Sequence, residues 1–121
     1  MHRQIEGALE RHILHLVTAR HPNEAVGLIL PDNRVVELTN RSATPSNQFL
    51  ITGRETHAAI TQHGFLVNED TVRRTTLWHS HPSGGVGPSR IDMQQKVPLM
   101  SHLVITVQVR GNTPTWIHTW Y

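Results

Sequence analysis

Apolar side chains recur along the first part of the chain with the spacing of one helix face. Between residues 3 and 20 they stand at Ile5, Ala8, Leu9, Ile13, Leu16, Val17 and Ala19. This spacing predicts an amphipathic helix, and the proline at position 22 predicts its end because proline cannot continue a helix. A second helix is predicted over residues 54–63, with Gly64 as its C-cap, and a third from Ser89 to about Met100.

Short runs of apolar and β-branched residues alternate with these helical segments. The runs 24–30 and 35–38 flank a Pro-Asp-Asn turn and predict a hairpin. Further strands are predicted over residues 48–52, 65–67, 75–81, 103–109 and 115–121. Helices interspersed among short strands predict an α/β fold, a central mixed β-sheet flanked by about three helices. Since no repeat or linker interrupts the pattern, we expect residues 1–121 to form a single domain.

Composition excludes several classes of protein. Lys and Arg number 11 against 9 Asp and Glu, and the cations are scattered, so the basic stripe of a nucleic-acid-binding protein is missing. No apolar run approaches the ~20 residues of a membrane span, and the N-terminus lacks the apolar core of a signal peptide. We therefore expect a cytoplasmic protein with neither nucleic acid nor membrane as partner. The absence of cysteine excludes disulfides, zinc ribbons and cysteine nucleophiles.

Histidine is unusually frequent, with 10 residues in 121. Two of the histidines lie on one predicted strand, which is followed by a loop rich in glycine and proline. Residues two apart on a strand point to the same face, so His79 and His81 are predicted to project side by side. Ser89 and Asp92 have the spacing of a helix N-cap and its capping acid, and glycines between the strand and this helix permit a tight return. Two imidazoles and one carboxylate would leave a zinc position open for water.

Glu24 is the candidate for the base that such a site needs. It follows a Pro-Asn break and opens an apolar strand, where burial would raise the pKa of its carboxyl and suit it to carry a proton. Each of these residues has an ordinary interpretation when taken alone: a strand histidine, a helix cap, an exposed acid at a strand start. The combination is what favours a metal site.

This combination resembles the JAMM (JAB/MPN) metallopeptidase family. The chain has His-Ser-His-Pro from position 79, six intervening residues and then Ser-x-x-Asp, with Glu-x-x-Gly-Leu-Ile upstream from Glu24. The resemblance covers Glu24 to about Val107. It implies a cytidine-deaminase-like MPN fold with one Zn²⁺ per chain, bound by the residues at His79, His81 and Asp92. It further implies that Glu24 activates the zinc-bound water and that Ser89 steadies the oxyanion.

The resemblance implies a zinc-dependent hydrolase that cleaves a peptide or isopeptide bond. Only the ten residues 93–102 separate Asp92 from the strand at Leu103, which is similar to compact prokaryotic or phage-type members. Such members process ubiquitin-like carrier proteins or act in phage tail assembly, so the expected partner is a protein or peptide substrate. The oligomeric state is left open.

Two other interpretations stay open at this point. One is a non-catalytic interaction or assembly module that keeps the fold and the metal site. The other is a histidine-rich module with several metal sites. Six further histidines are expected to be surface or packing residues: His12, His15, His57, His63, His102 and His118. Ser80 is expected to be a structural hydrogen-bonding residue, and the three tryptophans to pack in the core or at an edge.

Overall fold

The computed structural model describes residues 7–82 and 85–121, and it contains four helices and five strands in those ranges. The helices are α1 (Gly7–Arg20), α2 (Gly53–Gln62), α3 (Glu69–Arg73) and α4 (Arg90–Gln94). The strands are β1 (Val26–Ile29), β2 (Val35–Leu38), β3 (Thr76–His81), β4 (Ser101–Arg110) and β5 (Thr113–Trp120).

All five strands belong to one sheet, in the order β2-β1-β3-β4-β5. β3 and β4 are parallel, whereas the other neighbouring pairs are antiparallel. The predicted α/β fold with a central mixed sheet is therefore confirmed. A parallel pair needs a crossover connection. Here that connection contains the glycine-rich loop and α4, so it returns the chain past the end of β3.

Helices pack against both faces of the sheet, and the strands β1 and β3 are buried on both sides. Leu77 of β3 belongs to an apolar cluster that includes Ile60 of α2. The next residue, Trp78, belongs to a second cluster with Ile13 and Val17 of α1. Because side chains alternate between the two faces of a strand, His79 and His81 lie on the same face of the sheet as Leu77, the face that α2 covers.

Gly27 is required by the close approach of β2 and of an indole ring to β1. A Cβ atom on Gly27 would collide with the carbonyl oxygen of Val36 and would lie 2.5 Å from Cζ2 of Trp78. The absence of a side chain at this position lets Trp78, which is fully buried, lie across the strand.

Two predicted strands are wrong. Residues 48–52 and 65–67 form no strand, and the backbone of Leu50 instead binds outside the sheet, to Arg41 N–H and to the side chain of Asn40. The short helix α3 was not predicted. The sequence signal for α3 is Asn68 at the N-cap, whose side chain accepts a hydrogen bond from Thr71 N–H. Two acidic residues follow it in the first turn of the helix.

Two helical predictions need new boundaries. The helix predicted from Ser89 ends at Gln94 instead of near Met100, because Pro98 and the left-handed backbone of Leu99 (φ 73°) follow it. The N-terminal helix is confirmed over Gly7–Arg20, and its predicted first residues lie outside the described ranges. Within the described residues, no helix combines the length and the apolar character that crossing a membrane would take.

Candidate metal centre

The site begins with two imidazoles at the end of β3. His79 is fully buried and His81 is half-buried, and their ring centroids lie 5.1 Å apart. The structure thus places both histidines on one face, as their spacing of two residues requires. Ser80 between them points the other way, and its Oγ accepts a hydrogen bond from the backbone N–H of Ala25 at 2.9 Å. Ser80 is therefore a structural residue that joins β3 to the chain just before β1.

Asp92 reaches the same imidazoles from the first turn of α4. Its Oδ2 lies 3.2 Å from His79 Nε2 and 3.0 Å from His81 Nε2. A reciprocal capping box holds it there: Ser89 N–H donates to Asp92 Oδ2 at 2.8 Å, and Asp92 N–H donates to Ser89 Oγ at 3.1 Å. The predicted capping arrangement is present, and it fixes the carboxylate against the end of β3.

Gly87 shapes the return from β3 to α4. Its φ of +88° lies in the left-handed region that favours glycine. Ser83 and Gly84 of the same predicted loop lie outside the described residues.

Glu24 approaches from the segment before β1. One of its carboxylate oxygens forms a compact group with one nitrogen each of His79 and His81, all within 4.8 Å of one another. Glu24 is only 3% exposed, and its Oε1 has no hydrogen-bond partner among the described residues. A buried, unpartnered carboxylate oxygen is costly unless something else binds it.

The surroundings of the two carboxyl groups shift their pKa values in opposite directions. Burial, reinforced by the charge of Asp92 and opposed by that of His81, raises the pKa of Glu24 to about 7. Burial would also raise the pKa of Asp92, but hydrogen bonds with both imidazoles and with Ser89 N–H hold it far below its usual value. Asp92 is therefore a permanent anion, whereas Glu24 can take up and release a proton near neutral pH.

The two imidazoles also differ. Burial lowers the pKa of His79 below its ordinary value, against the opposing influence of Asp92. Burial acts in the same direction on His81, but its hydrogen bond with Asp92 and the charge of Glu24 outweigh it and raise the pKa of His81. The buried His79 is thus neutral near pH 7, which is the form that ligates a metal.

The donor set fits a divalent cation of the zinc type. An ionised carboxylate accepts hydrogen bonds only, so both imidazoles must offer an Nε2–H to the single oxygen Oδ2 of Asp92. A cation would replace both protons and would also give the orphaned Oε1 of Glu24 a positive neighbour. Two imidazoles and a carboxylate are a common set for catalytic zinc. The structure brings together all five predicted site residues, Glu24, His79, His81, Ser89 and Asp92.

A cleft of about 340 Å³ lies against this cluster. One side of the cleft is lined by Glu24, His81 and the segment 85–89. Two residues of the loop between β2 and α2, Ser46 and Asn47, also line it. The Oγ of Ser89 accepts from Asp92 N–H, so its own hydrogen is free to donate toward the cleft.

Two aromatic residues around His79 were not predicted as part of the site. Phe49 lies with its ring centroid 4.5 Å from that of His79, and the hydroxyl of Tyr121 lies 3.5 Å from His79 Nδ1. Phe49 also lines an apolar groove of about 380 Å³ that extends to Leu77 and Val97. No short-range pattern marks these residues, since they come from segments 30 and 42 positions away from His79.

The remaining histidines do not form a second centre in the described part of the chain. One group of three metal-ligating side chains occurs in residues 7–82 and 85–121, that of Glu24, His79 and His81. His102 is buried and bound to backbone atoms through both ring nitrogens. His12, His15 and His57 are exposed, which fits the expected surface role. The histidine-rich module with several sites is thus disfavoured.

A family model described as prokaryotic homologs of the JAB domain matches residues 7–121. The chain belongs to this family. The match supports the MPN-type fold inferred from the motif and agrees with a compact prokaryotic member. The JAB domain family includes some peptidases.

One solved structure extends the comparison of folds. The solution structure of protein DSY2949 from Desulfitobacterium hafniense superposes on this JAB homologue with a TM-score of 0.68 and 24% sequence identity. The match covers 94% of this chain and 80% of that one. At this identity the likeness concerns the fold alone. A search of curated proteins gives no significant match.

Proposed function

We propose that this protein is a zinc-dependent peptidase or isopeptidase. The observation that carries the proposal is the convergence of two imidazoles and two carboxylates of different basicity beside an open cleft. His79, His81 and Asp92 would hold the ion, with Asp92 fixed by its capping box and both histidines fixed by β3.

A bound zinc ion would supply Lewis-acid polarisation of the scissile carbonyl and a water of lowered pKa. Glu24 takes the proton of the attacking water, because its buried carboxylate has a pKa of about 7 and lines the cleft. Glu24 then returns this proton to the amine that leaves. Carrying one proton both ways needs a group that is half ionised near neutral pH, which Asp92 is not.

Ser89 donates its hydroxyl hydrogen to the carbonyl oxygen as negative charge develops there. Its Oγ accepts a hydrogen bond from Asp92 N–H, so this oxygen is positioned before the substrate arrives. A substrate in the cleft lies between the segment 85–89 and the loop residues Ser46 and Asn47. A peptide or protein is the substrate class that we propose.

Two assignments of Glu24 make different predictions. If Glu24 is the base, Glu24→Gln keeps about one zinc per chain and abolishes hydrolysis. If Glu24 is instead the third ligand beside the two histidines, the same substitution loses the metal. Asp92→Asn loses the metal if Glu24 is the base and Asp92 the third ligand, and keeps it if Glu24 is the third ligand. The zinc content of both variants therefore decides between the two assignments.

The experiment loads the purified protein with zinc and exposes it to a library of peptides from a digested bacterial proteome. Mass spectrometry identifies the cleaved bonds. Glu69→Gln is the matched control, because it removes the same charge from an exposed residue on α3. We expect cleavage by the native protein and Glu69→Gln and none by Glu24→Gln. Equal cleavage by metal-free and zinc-loaded protein would overturn the proposal. Zinc binding without any cleavage would favour a non-catalytic module.

A further inference from the structure

His79 has a second ring nitrogen that faces away from the metal centre. Its Nε2 points to Asp92, and its Nδ1 meets the hydroxyl of Tyr121 at 3.5 Å. His79 is fully buried, and the hydroxyl of Tyr121 is the polar group that meets Nδ1 among the described residues.

Tyr121 is held in place independently of His79. Its backbone N–H donates to the carbonyl oxygen of His102 at 3.0 Å, and its ring lies 5.2 Å from the His102 ring. His102 is itself anchored: its Nε2 accepts from Val97 N–H at 3.0 Å, and its Nδ1 lies 3.0 Å from the carbonyl oxygen of Met100. The hydroxyl of Tyr121 is therefore presented to His79 from a fixed platform.

A hydroxyl suits this position because it both donates and accepts. When the Nε2 of His79 carries a hydrogen toward Asp92, its Nδ1 is an acceptor and Tyr121 donates to it. When a metal takes Nε2, the hydrogen resides on Nδ1, and Tyr121 accepts it. The second hydrogen bond is the stronger one, because coordination polarises the imidazole and makes its N–H a better donor.

We propose that Tyr121 is a positioning residue that orients His79 and favours the tautomer that binds the metal. This proposal rests on the zinc centre proposed above. Phe49 packs 4.5 Å from the His79 ring, and Tyr121 meets that ring at an interplanar angle of 86°. Between them, the two aromatic residues limit rotation of the imidazole, and the hydroxyl binds Nδ1 in either tautomer, more strongly when Nδ1 carries the hydrogen.

The test is Tyr121→Phe, which keeps the ring and removes only the hydroxyl. Thr119→Val is the matched control, since it removes a hydroxyl from β5 two residues away. Zinc affinity is measured by competition with a chelator. We expect Tyr121→Phe to weaken zinc binding about tenfold, as the loss of a hydrogen-bond partner of a metal ligand does elsewhere, and Thr119→Val to leave it unchanged.

A second measurement, ¹⁵N NMR of the imidazoles, reads the effect directly. In Tyr121→Phe the Nδ1 resonance of His79 moves, whereas the resonances of His102 stay in place and report an intact platform. Unchanged zinc affinity together with an unchanged Nδ1 resonance would overturn the proposal. Zinc binding without hydrolysis would count against the proposed function alone. If the native protein binds no zinc, the Nδ1 resonance of the metal-free protein still decides whether Tyr121 positions His79.

Discussion

The side-chain amide of Asn40 donates a hydrogen bond to the carbonyl oxygen of Glu24 at 3.0 Å. The same Nδ2 donates to the carbonyl oxygen of Gln48, and its Oδ1 accepts from the N–H groups of Ser42 and Leu50. The backbone N–H of Glu24 in turn donates a hydrogen bond to the carbonyl oxygen of Pro45 at 2.7 Å. One asparagine thus ties the loop that lines the cleft to the backbone of the proposed base.

Asn40→Asp tests this tie. The substitution keeps the acceptor oxygen but places a second oxygen against the carbonyl oxygens of Glu24 and Gln48. We expect the free energy of unfolding in urea to fall by about 2–4 kcal/mol, because donors are lost and charge is buried. The same change at Asn47, an exposed residue of the same loop, should have little effect. Equal losses in the two variants would contradict a specific role for Asn40.

Ser89 combines two roles that a matched pair of variants separates. Ser89→Ala removes the N-cap of α4 and should cost about 1 kcal/mol of unfolding free energy. It should also reduce kcat of the zinc-loaded protein about 10²–10³-fold, because the donor to the oxyanion is lost. Thr52→Ala removes the equivalent cap of α2 and should show the stability loss with unchanged kcat. If both variants keep full activity, Ser89 is a cap and nothing more.

Gly27 carries a prediction about packing. Gly27→Ala places a methyl group against Val36 and 2.5 Å from the Trp78 ring, and neither neighbour can move without disturbing the sheet. We expect a loss of roughly 3 kcal/mol or more in the free energy of unfolding. Gly53→Ala is the control, because its methyl group meets open space at the start of α2 and should be neutral or slightly stabilising. Thermal unfolding of both variants measures the difference.

Predictions from the sequence are most reliable here where the geometry is local. His79 and His81 lie two apart on one strand, and Ser89 and Asp92 lie three apart at a helix start, so strand alternation and capping place each pair. The motif as a whole also identified the family, which the match over residues 7–121 shows.

The features that were missed are not local. Asn40 and Glu24 are 16 residues apart, and Tyr121 and His79 are 42 apart, so their contacts depend on how the sheet assembles. The strand predicted over residues 48–52 failed for the same reason. Its apolar pattern is real, but Asn40 binds its backbone outside the sheet, and Phe49 points to His79. A single sequence does not encode such pairings in any short-range period.

The raised pKa of Glu24 makes the stability of the metal-free protein depend on pH. Burial lifts the pKa from its ordinary 4.5 to about 7, so between these values the folded protein keeps a proton that the unfolded chain has lost. Folding is therefore favoured below about pH 5, and this contribution disappears as the pH rises through about 7. Glu24→Gln cannot titrate and serves as the reference. With zinc removed by a chelator, the free energy of unfolding of the native protein should fall relative to that of Glu24→Gln by roughly 2–3 kcal/mol across this window. Parallel curves for the two proteins would show that the carboxyl of Glu24 titrates normally, and the proton-carrying role would then lose its physical basis.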